Sequence, residues 1–203
     1  MAEVKRRNVG ILLFERAELL DFAGPYEAFS AARIDGEQCF NTFTVGQQKG
    51  YITSNNGLVC GVDYSFEDAP EIDILVVPGG QGTRTEVDNP VLIDWIKDVA
   101  SKAELMTSVC TGAFLVAKAG LLAGKKATTH WGSIERMRET FPDTEVLEQV
   151  RFVDDGFVVS SAGVSAGIDM SLHVIERLCG VEAARSSARV MEYDYWPGFV
   201  HSS

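Results

Sequence analysis

Leu105-Met106-Thr107-Ser108-Val109-Cys110-Thr111-Gly112-Ala113-Phe114-Leu115 is the stretch whose reading decides the fold. The apolar pattern from Ala103 to Ser108 predicts a strand, and that from Gly112 to Ala119 predicts a helix, ended by Gly120. Cys110 falls on the turn between them. A sharp strand-to-helix turn holds a side chain above the edge of a sheet, as the nucleophile elbows of hydrolases do. The helix N-terminus beyond it presents unpaired N–H groups, which favour a thiolate over a thiol. Gly112 lets other groups approach closely. The competing reading is a buried structural cysteine, since cysteine is among the most buried residue types.

Outward from this turn, strand and helix patterns alternate. Asn8 to Phe14, Asn41 to Gly46 and Asp73 to Val77 predict strands, the last closed by Pro78-Gly79-Gly80. Pro25 to Arg33 predicts a helix with Pro25 in its first turn. Asn89-Pro90 signals the start of a helix over Val91 to Val99. A short strand at Ala127 to Thr129 precedes a helix from Gly132 to Phe141. Arg151 to Val153 and Phe157 to Ser160 flank Asp154-Asp155-Gly156, a hairpin signal. Helices follow over Ala166 to Cys179, stopped by Gly180, and Val181 to Glu192. This alternation predicts an α/β fold, doubly wound, with a mostly parallel sheet and helices on both faces. No linker, repeat or low-complexity segment interrupts it, so residues 1–203 are expected to form one domain.

Composition removes several function classes. Hydrophobic residues make up 46% of the 203 and charged ones 23%, enough for a sizeable core. The net charge is −11, and the densest basic spot is Lys5-Arg6-Arg7, so no stripe for phosphate backbones exists and nucleic acid is not an expected partner. No apolar run has membrane-spanning length, and Met1 to Val9 lacks a signal-peptide core; a cytoplasmic protein is expected. Cys39, Cys60, Cys110 and Cys179 show no CxxC spacing, and His130, His173 and His201 show no ligand spacing. Neither disulfides nor a metal are expected.

In such folds ligands sit at the carboxyl ends of the strands. Leu19-Leu20-Asp21-Phe22-Ala23-Gly24-Pro25, Pro78-Gly79-Gly80-Gln81-Gly82 and the Cys110 turn all reach that edge. Thiol chemistry needs a nucleophile, a proton carrier and a stabiliser of developing charge. Cys110 supplies the first. Asp21 supplies the second, because its apolar neighbours would raise its pKa; the rival reading is a helix N-cap. Gly79 and Gly80 supply exposed N–H groups, or are a plain tight turn. The Thr111 N–H lies beside the sulfur, and its hydroxyl can bind substrate. His130, at a strand end, is expected to be a site neighbour rather than the base. His173 reads as structural, His201 as a solvated tail residue, and Asp94, Asp98 and Glu104 as surface charges.

These stretches, with Ala119-Gly120-Leu121-Leu122-Ala123-Gly124-Lys125, Ala127-Thr128-Thr129-His130-Trp131 and Ala166-Gly167-Ile168-Asp169, resemble the ThiJ/PfpI superfamily within the class I glutamine amidotransferase-like fold. The branch the chain is most similar to is isocyanide hydratase. The resemblance implies a cofactor-free homodimer in which Cys110 is the nucleophile, Asp21 the acid/base and Thr111 a substrate-positioning residue. The small-molecule substrate would be an isocyanide, hydrated to an N-substituted formamide through a thioimidate.

Two other branches bear on the reading. The N-terminal domains of AraC-type regulators carry very similar stretches, but continue into a helix-turn-helix domain; none is expected here, since the sequence stops at Ser203. The PfpI-like peptidases have a histidine directly after the nucleophile, where this chain has Thr111. A redox-sensing or ligand-binding protein and a small-amide or peptide hydrolase are therefore the alternatives. The aromatic segment Tyr193-Asp194-Tyr195-Trp196-Pro197 is expected to dock on the body.

Overall fold

Val9, Ile11 and Leu12 are fully buried, as are Ile74 to Val77 and Leu105 to Val109. Strands covered on both faces must exclude water along their whole length, so they read as continuous apolar runs rather than alternating ones. These three runs form the centre of the sheet. The computed structural model describes residues 6–195.

The main sheet contains β1 (Arg7–Leu12), β2 (Phe40–Gly46), β3 (Tyr64–Ser65), β4 (Ile74–Val77), β5 (Leu105–Val109), β6 (Phe152–Asp155) and β7 (Val158–Ser161). Their order is β6-β7-β5-β4-β1-β2-β3. All neighbours run parallel except β6 and β7, the hairpin signalled by Asp154-Asp155-Gly156. From β1 the chain builds through β2 to β3, then crosses to the other side of β1 for β4, β5 and β7. The reversal between β1 and β4 opens a crevice at the carboxyl edge of the sheet.

The helices are α1 (Leu19–Ala31), α2 (Thr83–Glu86), α3 (Pro90–Ala100), α4 (Gly112–Lys118), α5 (Ile134–Thr140), α6 (Ala166–Cys179) and α7 (Val181–Val190). One group, α1, α6 and α7, packs together against the sheet; α2, α3 and α4 form another. The Asn89 side chain caps α3 by accepting from Val91 N at 3.1 Å, as the Asn-Pro signal requires.

Three expectations need correction. First, α1 begins at Leu19, six residues before the expected Pro25 start. Proline inside a helix removes the N–H that would bond the carbonyl four residues back, here that of Asp21. The residue before proline normally avoids the α region because its Cβ clashes with the ring. Gly24 has no Cβ, and one placed there would lie 2.9 Å from Ile168 Cγ1. Second, Gly50–Thr53 and Val59–Val62 form an antiparallel hairpin that the pattern did not signal. Tyr51 and Val59 are exposed, so the hydrophobic alternation carries no information about burial. Third, the strand expected at Ala127 to Thr129 is Lys126–Ala127, paired with Glu145–Val146 outside the main sheet.

At the C-terminal end the Tyr193 hydroxyl donates to Asp169 at 2.8 Å, and that of Tyr195 to Glu176, so these aromatics do dock on α6. Lys5, Trp196, Pro197 and His201 lie outside the described residues. No described helix is long and apolar enough to cross a membrane.

Candidate active site

Cys110 has φ of +57°, the left-handed region that a residue with a Cβ enters at a cost of about 1–3 kcal/mol. The surroundings hold it there. Its N–H donates to Ser161 O at 3.1 Å, and its carbonyl accepts from Thr129 Oγ1 at 2.7 Å. Gly112 makes the turn possible, because a Cβ there would sit 2.1 Å from Val77 O and 2.8 Å from Pro78 O. Gly112→Ala is therefore expected to destabilise the protein by about 3 kcal/mol, the upper end for overpacking. A urea midpoint equal to that of the wild type would show that the elbow relaxes freely.

Asp21 is fully buried and lies in the first turn of α1. It is not the N-cap: Glu18 holds that position, without a side-chain cap bond. The Asp21 carboxylate instead accepts from Gly79 N at 3.0 Å on Oδ2 and from Val164 N at 3.2 Å on Oδ1. The Cys110 thiol lies against the same carboxylate, close enough for each to shift the other's titration. One helix start, one glycine turn and the elbow thus converge on one thiol–carboxylate pair.

Burial pushes the Asp21 carboxyl from its ordinary 3.8 up to about 7, with the Gly79 N–H opposing and the charge of Glu18 assisting. Burial, and then the Asp21 charge, push the Cys110 thiol up to about 12, although the Thr111 N–H pulls the other way. This corrects the expectation of a thiolate stabilised by the helix N-terminus. One backbone donor does not offset desolvation plus an adjacent carboxylate. At rest above neutrality the pair holds one proton, and it resides on sulfur.

The glycines also depart from expectation. Gly79 N–H is committed to Asp21, and Gly80 N–H donates to Thr111 Oγ1 at 3.0 Å. Neither is an exposed donor. Their shared role is to fix the carboxylate and the threonine, and Thr111 Oγ1 also lies 3.1 Å from Thr83 Oγ1. The N–H facing the sulfur is that of Thr111.

A cavity of about 330 Å³ opens beside Cys110, lined among others by Glu18, Thr111, His130 and Val164. His130 Nδ1 accepts from Gly132 N at 3.1 Å, so a neutral ring carries its proton on Nε2. Its ring lies against Gly163, where a Cβ would be 2.4 Å from Cδ2. Among the described residues no hydrogen bond joins His130 to Cys110, in keeping with its reading as a neighbour. His173 binds Asp154 at 2.8 Å and is structural. Asp94, Asp98 and Glu104 pair with Lys97, Lys102 and Arg7 at the surface. Among the described residues no group of three or more His, Cys, Asp or Glu side chains gathers to hold a metal ion.

Val164 and Glu18 were not singled out in the sequence. Val164 has φ of +56°, an outlier for a β-branched residue, and that conformation accompanies its N–H bond to Asp21. No side-chain signal marks a backbone donor. Glu18, which accepts from Asn55 and Asn56 Nδ2 at 3.0 Å each, was hidden by the late placement of α1.

Comparison with known proteins agrees with this architecture. The DJ-1/PfpI family profile matches residues 7–177. An isonitrile hydratase of Pseudomonas putida is 35% identical over 97% of this chain and 82% of its own length. The transcriptional regulator GbdR of Pseudomonas aeruginosa is 27% identical over 93% of this chain, which spans about half (51%) of that protein. A ThiJ/PfpI family protein from Pseudomonas syringae superposes with a TM-score of 0.85 at 27% identity, covering 98% of this chain and 80% of that one. Drosophila melanogaster DJ-1beta shares the fold with a TM-score of 0.80 at 20% identity, covering 94% and 100%. The elbow cysteine, the doubly wound sheet and a family match across most of the chain lead to one assignment: the protein belongs to the DJ-1/PfpI family.

Proposed function

We propose that the protein is a cofactor-free isocyanide hydratase. The observation that carries this is the buried Cys110–Asp21 pair, in which one proton can pass from sulfur to carboxylate and on to substrate. The sulfur attacks the terminal isocyanide carbon as its proton moves to Asp21. Asp21 then gives that proton to the same carbon, forming the thioimidate R–N=CH–S–Cys110. Water adds to the thioimidate carbon, the C–S bond breaks, nitrogen takes a proton, and R–NH–CHO leaves with the thiol restored. The sum is one isocyanide plus one water. The likeness to the P. putida isonitrile hydratase supports this reading.

The coupling explains why a thiol held at about 12 is compatible with catalysis. Nucleophile and acid form in one proton transfer, so a standing thiolate is not required. His130, held by Gly132, is left to shape the cavity wall.

A ligand-binding or redox-sensing role has one specific support, the likeness to the regulator GbdR. A peroxide sensor, however, needs a standing thiolate. On the enzyme reading, mild peroxide will not oxidise Cys110 ahead of the partly exposed Cys60. Peptide mapping by mass spectrometry checks this, and preferential oxidation of Cys110 would favour the sensor. Formation of an N-formamide from an aryl isocyanide tests the enzyme directly.

A further inference from the structure

Two arginines stand at the mouth of the Cys110 cavity. Arg84 comes from α2, and Arg136 from α5. Both line the same cavity as Cys110, and both are exposed. Partial burial and then the charge of Arg84 hold the Arg136 guanidinium below its ordinary pKa, so the two cations feel one another. The Arg136 guanidinium carbon lies 4.2 Å from the centre of the Phe114 ring, which steadies it by a cation–π contact.

Among the described residues no salt bridge joins either arginine to a carboxylate. Glu135 and Asp88, close to these arginines in sequence, pair elsewhere: Glu135 with Arg138 at 2.6 Å, and Asp88 with Lys118 at 3.8 Å. Glu18 also lines the cavity, and its carboxylate accepts from Asn55 and Asn56. Two cations thus line one cavity, each felt by the other and neither held in a salt bridge among the described residues. Their repulsion is relieved when a ligand brings negative charge between them.

We infer that Arg84 and Arg136 form an anion subsite that holds a carboxylate on the substrate, with its reactive end at Cys110. Guanidinium forks match the two oxygens of a carboxylate, and a cavity of about 330 Å³ suits a small acid. The indole of Trp131, 83% exposed and lining the same cavity, offers a face for the carbon skeleton. The substrate class is thus an isocyanide bearing a carboxylic acid. The reaction in this inference rests on the hydratase reading; the anion binding does not.

The test has two arms. In the first, kcat/KM is measured for para-isocyanobenzoate and for its neutral methyl ester. The wild type is expected to prefer the acid by at least about tenfold, the scale of one charged hydrogen bond. Arg84→Gln with Arg136→Gln should bring the ratio to about one, and salt should lower it in the wild type. In the second arm, binding of the product para-formamidobenzoate is followed by tryptophan fluorescence, which needs no turnover. If neither isocyanide is consumed but the wild type binds the product and the double variant does not, the hydratase reading fails and the subsite stands. If acid and ester are equivalent, or the double variant binds the product as the wild type does, the subsite is overturned. Circular dichroism of the double variant ensures that the loss reflects charge rather than folding.

Discussion

Cys110→Ala is expected to reduce formamide production from an aryl isocyanide to the uncatalysed level, a loss of at least about 10⁴-fold in kcat/KM. The size follows from the chemistry. Without sulfur no covalent bond forms to the isocyanide carbon, and water is too weak a nucleophile to replace it at neutral pH. The residual machinery would be Asp21 and a cavity, which orient but do not react. The substitution also removes the thiol partner of Asp21, so folding must be checked by thermal melting beside activity. Loss of activity with a retained melting transition supports the nucleophile assignment. The assay is run with EDTA on both proteins, since no step above is routed through a metal. Formamide release by Cys110→Ala at the wild-type rate would remove the nucleophile from the reading altogether.

β1, β4 and β5 were legible because strands buried on both faces are mostly apolar along their buried length, with Thr107 and Ser108 the polar residues of β5. The elbow was legible because β5 ends directly before the α4 pattern, leaving Cys110 between them. Pro25 signals a first helical turn by residue type alone, whereas Gly24 allows α1 to run through it from Leu19. A helix starting at Pro25 leaves Asp21 open to an N-cap reading, which its position inside α1 removes. The committed donors of Gly79, Gly80 and Val164 were illegible, because the direction of an N–H depends on φ and ψ and not on residue type. The thiol pKa was misjudged for a related reason. The dipole of a following helix can be inferred from spacing, whereas burial beside a carboxylate becomes visible only when the chain is folded.

Asp21→Asn separates chemistry from architecture at the residue where the two are most entangled. Activity is expected to fall by at least about a hundredfold, the ordinary loss for a general acid/base, because an amide cannot relay the proton from sulfur to carbon. The wild-type pH profile should rise through about 7, where the pair loses the first of its two protons and becomes able to pass on the second. That limb should vanish in the variant. Stability gives an independent readout. A carboxyl raised from 3.8 to about 7 contributes stability that is fully present below 3.8 and lost as pH climbs through 7. Keeping it ionised above that range costs about 4 kcal/mol. The asparagine escapes this cost, but its amide nitrogen must face either Gly79 N–H or Val164 N–H, a mismatch of about 1–3 kcal/mol. Between pH 5 and pH 8 the wild type should therefore lose about 2–3 kcal/mol relative to the variant, ending no more stable than it at pH 8. Urea denaturation at both values measures the change. A stability difference that ignores pH would mean that Asp21 is not the buried, proton-holding group on which the mechanism depends. Activity surviving in a stable variant would transfer the proton to another donor.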